Sequence, residues 1–434
     1  MKAPGPSAVA LKDVVQITSG GTPRKSNEQY WGGNIPWVSA KDMKASQLWD
    51  SEDHVTEIGS KNGTKTVERG DLLLLVRGMT LHNDIPICVA QRRMAFNQDV
   101  KGLRPLSIDG RYLFYTLLSL KPELLRRVEA AGHGTGRLGA HQIETLPIPR
   151  FSPSEEEEIA ATLGALDDKI EVNRRMAATL EEMARALYRS WFVDFDPVHA
   201  KAQGRAPAHM DPATAALFPA RFGDDGLPEG WEIKTIGEVA EIVGGATPST
   251  KTPAFWDDGT HAWATPRDLA GLTDAFLIET ARRITDQGLA KIGSGLSPAG
   301  SMLLSSRAPI GYRAIAREPV AVNQGFIVIR ETPQITGIEA YLWCEVNMDA
   351  ILNNANGSTF QEISKKNFRP IPYLLAAEPV RHAFDHQVRP MFDRMALLCE
   401  ENRTLAALRD ALLPKLMSGE LRVREAEAHV EEVA

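Results

Sequence analysis

Leu11-Lys-Asp-Val-Val-Gln-Ile-Thr-Ser-Gly-Gly-Thr-Pro23 returns as Ile236-Gly-Glu-Val-Ala-Glu-Ile-Val-Gly-Gly-Ala-Thr-Pro248, a period near 225 residues. The same landmarks follow each copy in the same order. Tyr30-Trp31 corresponds to Phe255-Trp256, and Trp37 with Lys41-Asp42 to Trp263 with Arg267-Asp268. Gly70 to Arg77 corresponds to Gly300 to Arg307, Asn97-Gln98 to Asn323-Gln324, and Tyr112-Leu113 to Tyr341-Leu342. Each copy closes on Pro-Ile-Pro, at Pro147 to Pro149 and at Pro370 to Pro372. So long a period indicates a duplicated domain, not a solenoid of short repeats.

Within each copy, short apolar runs alternate with Gly-, Pro- and Asn-rich loops, a pattern of strands in a mixed α+β domain. The runs are Val14–Thr18, Leu72–Val76 and Ile85–Ala90, then Val239–Val243, Ser301–Ser305 and Phe326–Ile329. A helical pattern follows each copy. Leu163, Leu166, Ile170, Asn173, Ala177, Leu180, Ala184, Leu187 and Trp191 recur by threes and fours, which is a heptad seam. Ser154, followed by four glutamates, reads as its N-cap. Phe392, Met395, Cys399, Asn402, Ala406, Leu413 and Leu416 form the second seam, stopping near Ser418-Gly419. Two such helices bury their seams most economically on each other. Asn173 and Asn402 hold matching positions, and they either sit solvated on the flanks or meet and fix the register.

These signals divide the chain into domains at 11–150 and 231–375, helices at 151–195 and 376–421, a linker at 196–230 with little core of its own, and a tail at 422–434. Hydrophobic residues make up 43% of the 434 and charged residues 24%, an ordinary globular balance. The longest strongly apolar run, Leu72 to Val76, is far too short for a membrane span. The N-terminus lacks a signal-type apolar core, so a cytoplasmic protein is expected. The three scattered cysteines read as buried thiols. Net charge is −7, but residues 1–150 carry 20 Lys+Arg against 15 Asp+Glu, while residues 151–200 carry 5 against 11. Acid is thus concentrated in the helical segment. The second domain, at 13 against 15, is not basic.

Catalytic signatures are missing. Gly134-Thr-Gly136-Arg-Leu-Gly139 has a dinucleotide spacing, but a helix-like stretch from Pro122 to Ala131 precedes it where a strand is required. It therefore reads as a flexible loop. No phosphate-binding loop and no Asn/Asp-Pro-Pro-aromatic methyltransferase tetrapeptide occurs. Asp167-Asp168-Lys169 imitates part of a nuclease motif, but both acids are expected to point from the heptad helix into solvent. The ten histidines suggest no zinc site.

Two repeats, each followed by a long helix, are similar to Type I restriction-modification specificity subunits. Local strings agree: Ser190-Trp-Phe-Val-Asp-Phe-Asp-Pro-Val198 closes the central helix and Leu413-Pro-Lys-Leu-Met-Ser-Gly-Glu-Leu421 the last. The first of these strings reads as a partner-docking or helix-packing knot, with core packing an equal alternative. The resemblance implies two target-recognition domains separated by two long antiparallel coiled-coil-like helices about a pseudo-twofold. It implies a non-enzymatic DNA-recognition chain, each domain reading half of an interrupted double-stranded DNA site, with the helices as the ruler. Two methyltransferase subunits and two restriction/translocase subunits would assemble around it. S-adenosylmethionine, ATP and Mg2+ would be used there, with no cofactor on this chain. A methyltransferase-only or fused restriction system would contain a similar chain.

If the domains read different half-sites, residues identical in both cannot carry the difference. Thr22/Thr247, Trp31/Trp256, Trp37/Trp263, Asn97/Asn323 and Gln98/Gln324 are therefore expected to be scaffold or uniform phosphate contacts. Arg77 and Arg307, just past matched strands, suit phosphate or an ion pair. Base reading belongs to positions that differ, with Arg or Lys for guanine and Asn or Gln for adenine. The candidates are Arg24, Lys25, Lys61, Lys65, Arg92, Arg93, His133, Arg137 and His141 in the first domain. In the second they are Lys251, Arg282, Arg283, Lys291, Arg313, Lys365, Lys366 and Arg369.

Overall fold

The computed structural model describes residues 6–131, 134–357 and 361–426. It divides into two compact units, one reaching to Ile170 and resuming at Thr404, the other spanning Glu171–Arg403. Both long helices run unbroken through that division, as Pro153–Phe192 and Glu378–Ser418.

The duplication is visible strand by strand. The main sheet of the first unit has the order Val15–Ser19, Val100–Pro105, Leu72–Leu75, Ile87–Ala90, Gln47–Leu48. That of the second unit is Glu241–Val243, Phe326–Arg330, Met302–Ser306, Ile310–Ala316, Phe276–Leu277. All six apolar runs became strands, with ends moved by a residue or two. Val14 and Val239 fall instead in the short helices Leu11–Val14 and Ile236–Val239. The second of these helices is capped by Thr235, whose hydroxyl and amide both bond Glu238. Leu72 to Leu75 are wholly buried because this central strand is covered on both faces.

The repeated glycines have a steric reason. A Cβ at Gly20 would lie 2.3 Å from the carbonyl oxygens of Phe96 and Asn97, and one at Gly245 1.6 Å from that of Val322. Only glycine allows the Thr-Pro loop to lie this close to the neighbouring strand.

Most of each heptad seam is buried as expected, with Leu180, Leu187, Asn402 and Ala406 partly exposed. In the first unit Leu163, Leu166 and Ile170 share a core with Leu405, Leu412, Leu413 and Leu416. Each fully buried aliphatic side chain there is worth roughly 1.5–3 kcal/mol. In the second unit Tyr188 meets Phe384 with ring centroids 5.7 Å apart, and Asn173 Nδ2 donates to Asn402 Oδ1 at 3.1 Å. These pairings run antiparallel. Asn173 is 1% exposed, so the two matched asparagines meet within the seam. The second helix stops at Ser418, followed by Gly419 at φ 72°, the left-handed closure that glycine favours.

Several expectations need correction. The first helix is capped by Ser152, not Ser154: Ser152 Oγ accepts from Glu155 N, and Glu155 accepts back from Ser152. Pro153 then takes the first helical position, where its missing N–H is harmless. The stretch Pro122 to Ala131 is helical only to Arg126, and Glu129–Ala131 is a strand. The Gly134–Gly139 motif forms the strand Thr135–Arg137 and a turn into a short helix, not a flexible loop. Residues 196–230 are more than a tether. Pro197, Val198 and Phe218 are buried, and Phe218 stacks edge-on to Trp191 at 4.8 Å. Trp191 and Phe192 pack with Phe384 and Trp231, so the Ser190–Val198 string works in helix packing.

Asp167 does not point into solvent, whereas Asp168 stays half exposed. Asp167 is 9% exposed, accepts from Tyr115 Oη at 2.7 Å and pairs with Arg409 Nη1 at 2.6 Å. Asp168 receives Arg111 Nη2 at 2.8 and 2.7 Å. Both acids fasten helix to domain inside the first unit.

In the second unit, burial pushes the Glu339 carboxyl up to about 7, against a hydrogen bond from Tyr373 that works to lower it. The folded state therefore holds a proton that the unfolded chain releases near 4.5. Stability should fall as pH rises through that window, and the penalty should be complete above about 7. Glu339→Gln should flatten the dependence and recover about 2–3 kcal/mol at pH 8. Urea midpoints at pH 5 and pH 8 check this; an unchanged slope in the variant would contradict it.

Candidate nucleic-acid interface

The residues common to both copies form one repeated scaffold. Thr22 Oγ1 donates to Gln98 Oε1 at 2.8 Å, and Thr247 Oγ1 to Gln324 Oε1 at 2.7 Å. Trp31 and Trp37 meet edge-on at 5.2 Å, Trp256 and Trp263 at 4.9 Å. The indoles of Trp37 and Trp263 donate to Gly21 O and Ala246 O, and those of Trp31 and Trp256 to Arg24 O and Ser249 O. Asn97 and Asn323 each cap a backbone amide two residues on. These matched residues hold the Thr-Pro loop in place.

On that scaffold the differing cations fall into two groups. Arg24, Lys25 and Lys251 are exposed on the clasped Thr-Pro loops, with no ion pair among the described residues. Lys366 is exposed on the short helix Lys365–Phe368, and Lys365 reaches across Gly244 beside the second loop. Lys61, Lys65 and His141 are exposed as well. Arg282 lies over the Trp256 ring, 3.6 Å from its centroid, and stays exposed. Arg92 is exposed and donates to Asn34 O at 2.8 Å. His133 lies outside the described residues.

The second group is engaged within its own domain. Arg93 pairs with Glu57 at 2.7 Å and Arg283 with Glu318 at 2.6 Å. Arg313, 14% exposed, pairs with Glu345 and lies over Tyr341. Arg369 donates to Ile242 O, and Lys291 lies 5.8 Å from the Phe255 ring. The carboxylate partners come from two helices and a bend tens of residues away, so adjacent sequence gave no sign of them. Arg93, Arg283 and Arg313 are in this sense structural.

Arg77 and Arg137 come together. They are directly opposite on adjacent antiparallel strands, and neither has an ion pair among the described residues. At the corresponding place in the second unit Arg307 bridges to Glu362, 3.8 Å away. The three cysteines are buried free thiols. Among the described residues no group of three or more His, Cys, Asp or Glu is placed to hold a metal. That includes His382 and His386, one helical turn apart, a metal-type spacing the sequence reading passed over; Asp385 between them is taken by Arg389 at 2.8 Å. No described helix is long and apolar enough to cross a membrane.

A family model described as the Type I restriction modification DNA specificity domain matches residues 7–182 and again 228–372. The chain belongs to this family. It is 23% identical over 430 residues to the Type I restriction enzyme MjaIX specificity subunit of Methanocaldococcus jannaschii, covering 96% of this chain and 93% of that one. The HindI specificity subunit of Haemophilus influenzae is 25% identical over 441 residues, covering 89% and 94%. The fold resembles the crystal structure of the Type-I restriction-modification system S subunit from M. genitalium, with TM-score 0.54, 14% identity, and coverage of 94% and 95%. The family match falls twice, on the two repeats.

Proposed function

We propose that each repeat of this specificity subunit reads one half of an interrupted double-stranded DNA site and that the chain itself performs no chemistry. The observation that carries this reading is the repeated Thr–Gln and Trp–Trp scaffold, identical in both units but presenting different exposed cations. A shared scaffold with unlike surface residues suits two unlike half-sites. The two helices set the spacer and dock two methyltransferase and two restriction/translocase subunits. S-adenosylmethionine, ATP and Mg2+ act on those subunits, in the cytoplasm. DNA contacts are assigned to Arg24, Lys25, Arg77, Arg92, Arg137, Lys251, Arg282, Arg307, Lys365 and Lys366, with Arg93 and Arg283 as supports.

The purified chain with S-adenosylmethionine and genomic DNA should methylate nothing, and adding its methyltransferase partner should methylate adenines in a single bipartite motif. Methylation by the chain alone would overturn the proposal. The net charge of −7 adds a second expectation. Few phosphates can be neutralised against so acidic a scaffold, so the chain alone should bind DNA weakly. A salt titration should give a much shallower slope for the chain alone than for the complex. Equal slopes would contradict the division of phosphate contacts.

A further inference from the structure

Strand register matches the two repeats, and at one matched position equivalent backbones carry opposite charges. In the first unit Leu138 N donates to Val76 O at 2.9 Å, setting Arg137 beside Arg77. In the second unit Ile363 N donates to Ser306 O at 3.0 Å, setting Glu362 beside Arg307. The far side agrees too: Arg137 is bridged to Glu129 as Glu362 is bridged to Asn356. Arg137 and Glu362 are therefore the same site in the two domains.

Each faces an arginine, Arg77 or Arg307, so the charge at the site itself is what differs. Like charges directly opposite on antiparallel strands repel, yet Arg77 and Arg137 face one another with no ion pair among the described residues. Glu129, the remaining neighbour, is held by the Gln142 amide. Burial holds the Lys101 ammonium below its ordinary range, Glu144 opposing and Arg137 reinforcing the shift, so a third cation feels Arg137. The strand is firmly placed: a Cβ at Gly136 would come within 2.8 Å of Val128 Cγ1 and 2.9 Å of Leu81 Cβ. Arg137 is exposed on this closely packed strand. An exposed arginine with no ion pair among the described residues, on a strand opposite a second arginine, suits a bidentate acceptor edge, with the second cation left for phosphate. Glu362, half exposed beside Arg307, presents an acceptor where the first unit presents donors.

We propose that Arg137 and Glu362 are corresponding base-reading residues, Arg137 selecting a guanine in the first domain's half-site and Glu362 a cytosine amino group in the second's. Arg77 and Arg307 flank them as phosphate contacts common to both. The inference rests on the reading of one half-site per domain.

The test uses the complex of this chain with its methyltransferase partner and duplexes carrying the mapped motif, each half-site varied one base pair at a time. Arg137→Ala should lower discrimination at one G·C pair of one half-site by roughly 5- to 150-fold and leave the other half unchanged. Arg137→Gln should move the preference at that pair toward adenine, which a glutamine amide can bond twice. Glu362→Gln should alter one position of the opposite half-site only. Unchanged discrimination at every guanine in an active Arg137 variant would overturn the proposal. So would uniform weakening on all sequences with a smaller salt slope, since Arg137 would then contact phosphate. A wild-type complex with no bipartite motif would instead sink the half-site reading itself. Should Arg137→Ala not assemble, Arg137→Gln serves alone, and an assembled Arg137→Gln complex that keeps full guanine discrimination at every pair would equally refute the assignment.

Discussion

Arg409→Ala should destabilise the first unit by about 3–5 kcal/mol, because it leaves a buried carboxylate without its cation. Arg409 Nη1 lies 2.6 Å from Asp167 Oδ1, and the two side chains are 22% and 10% exposed. Tyr115 Oη already donates to the other oxygen, and one neutral donor cannot compensate a desolvated charge. The pair ties the second long helix to the first, and Tyr115 ties both to the helix Gly110–Ser119. Asp167→Asn in the Arg409→Ala background removes the stranded charge and should restore much of the loss. A double-mutant cycle in urea measures the coupling. A loss under about 0.5 kcal/mol in the single variant would show the site to be wetter than its burial indicates.

The second large effect concerns the spacer of the proposed DNA site. Helices of 40 and 41 residues, at 1.5 Å per residue, extend roughly 60 Å. Half-sites one DNA turn apart are about 34 Å from centre to centre, within reach of such a pair allowing for domain width. Four residues added to each helix, after Ile170 and after Arg403, lengthen it by about 6 Å and turn it about 40° past a full turn. Along B-DNA 6 Å is between one and two base pairs, and one base pair turns the duplex by roughly 34°. Rise and rotation therefore agree on a spacer longer by one or two base pairs. Seven added residues would match about three base pairs in rise, but would leave the helix nearly unrotated while the DNA turned by about 100°. The four-residue variant should methylate the same half-sites at the longer spacing, and the seven-residue variant should methylate weakly at any spacing. Methylome sequencing decides. An active four-residue variant with the original spacer would show that the helices do not set the distance.

The duplication was legible because both copies solve the same packing problem with the same residues: Gly20 and Gly245 cannot carry a side chain, and each tryptophan pair clasps a loop. The seams were legible because heptad spacing alone decides which face is buried. Asp167 was misread for the opposite reason. Its partners, Tyr115 and Arg409, lie 52 and 242 residues away, so nothing in its neighbourhood announces a buried ion pair. The Ser152 cap was missed by two residues because Pro153 at the first helical position was not weighed against the acidic run. Residue type alone marks the candidate cations. Sequence cannot distinguish Arg93, held by Glu57, from Arg137, which faces another arginine, because strand register decides both.

The central claim is that each domain owns one half-site. It is tested most directly by replacing residues 236–370 with the matching segment of another specificity subunit and mapping methylated adenines in the assembled complex. One half of the bipartite motif should be replaced while the other half and the spacer stay as they were. A change in both halves, or in neither, would contradict the account.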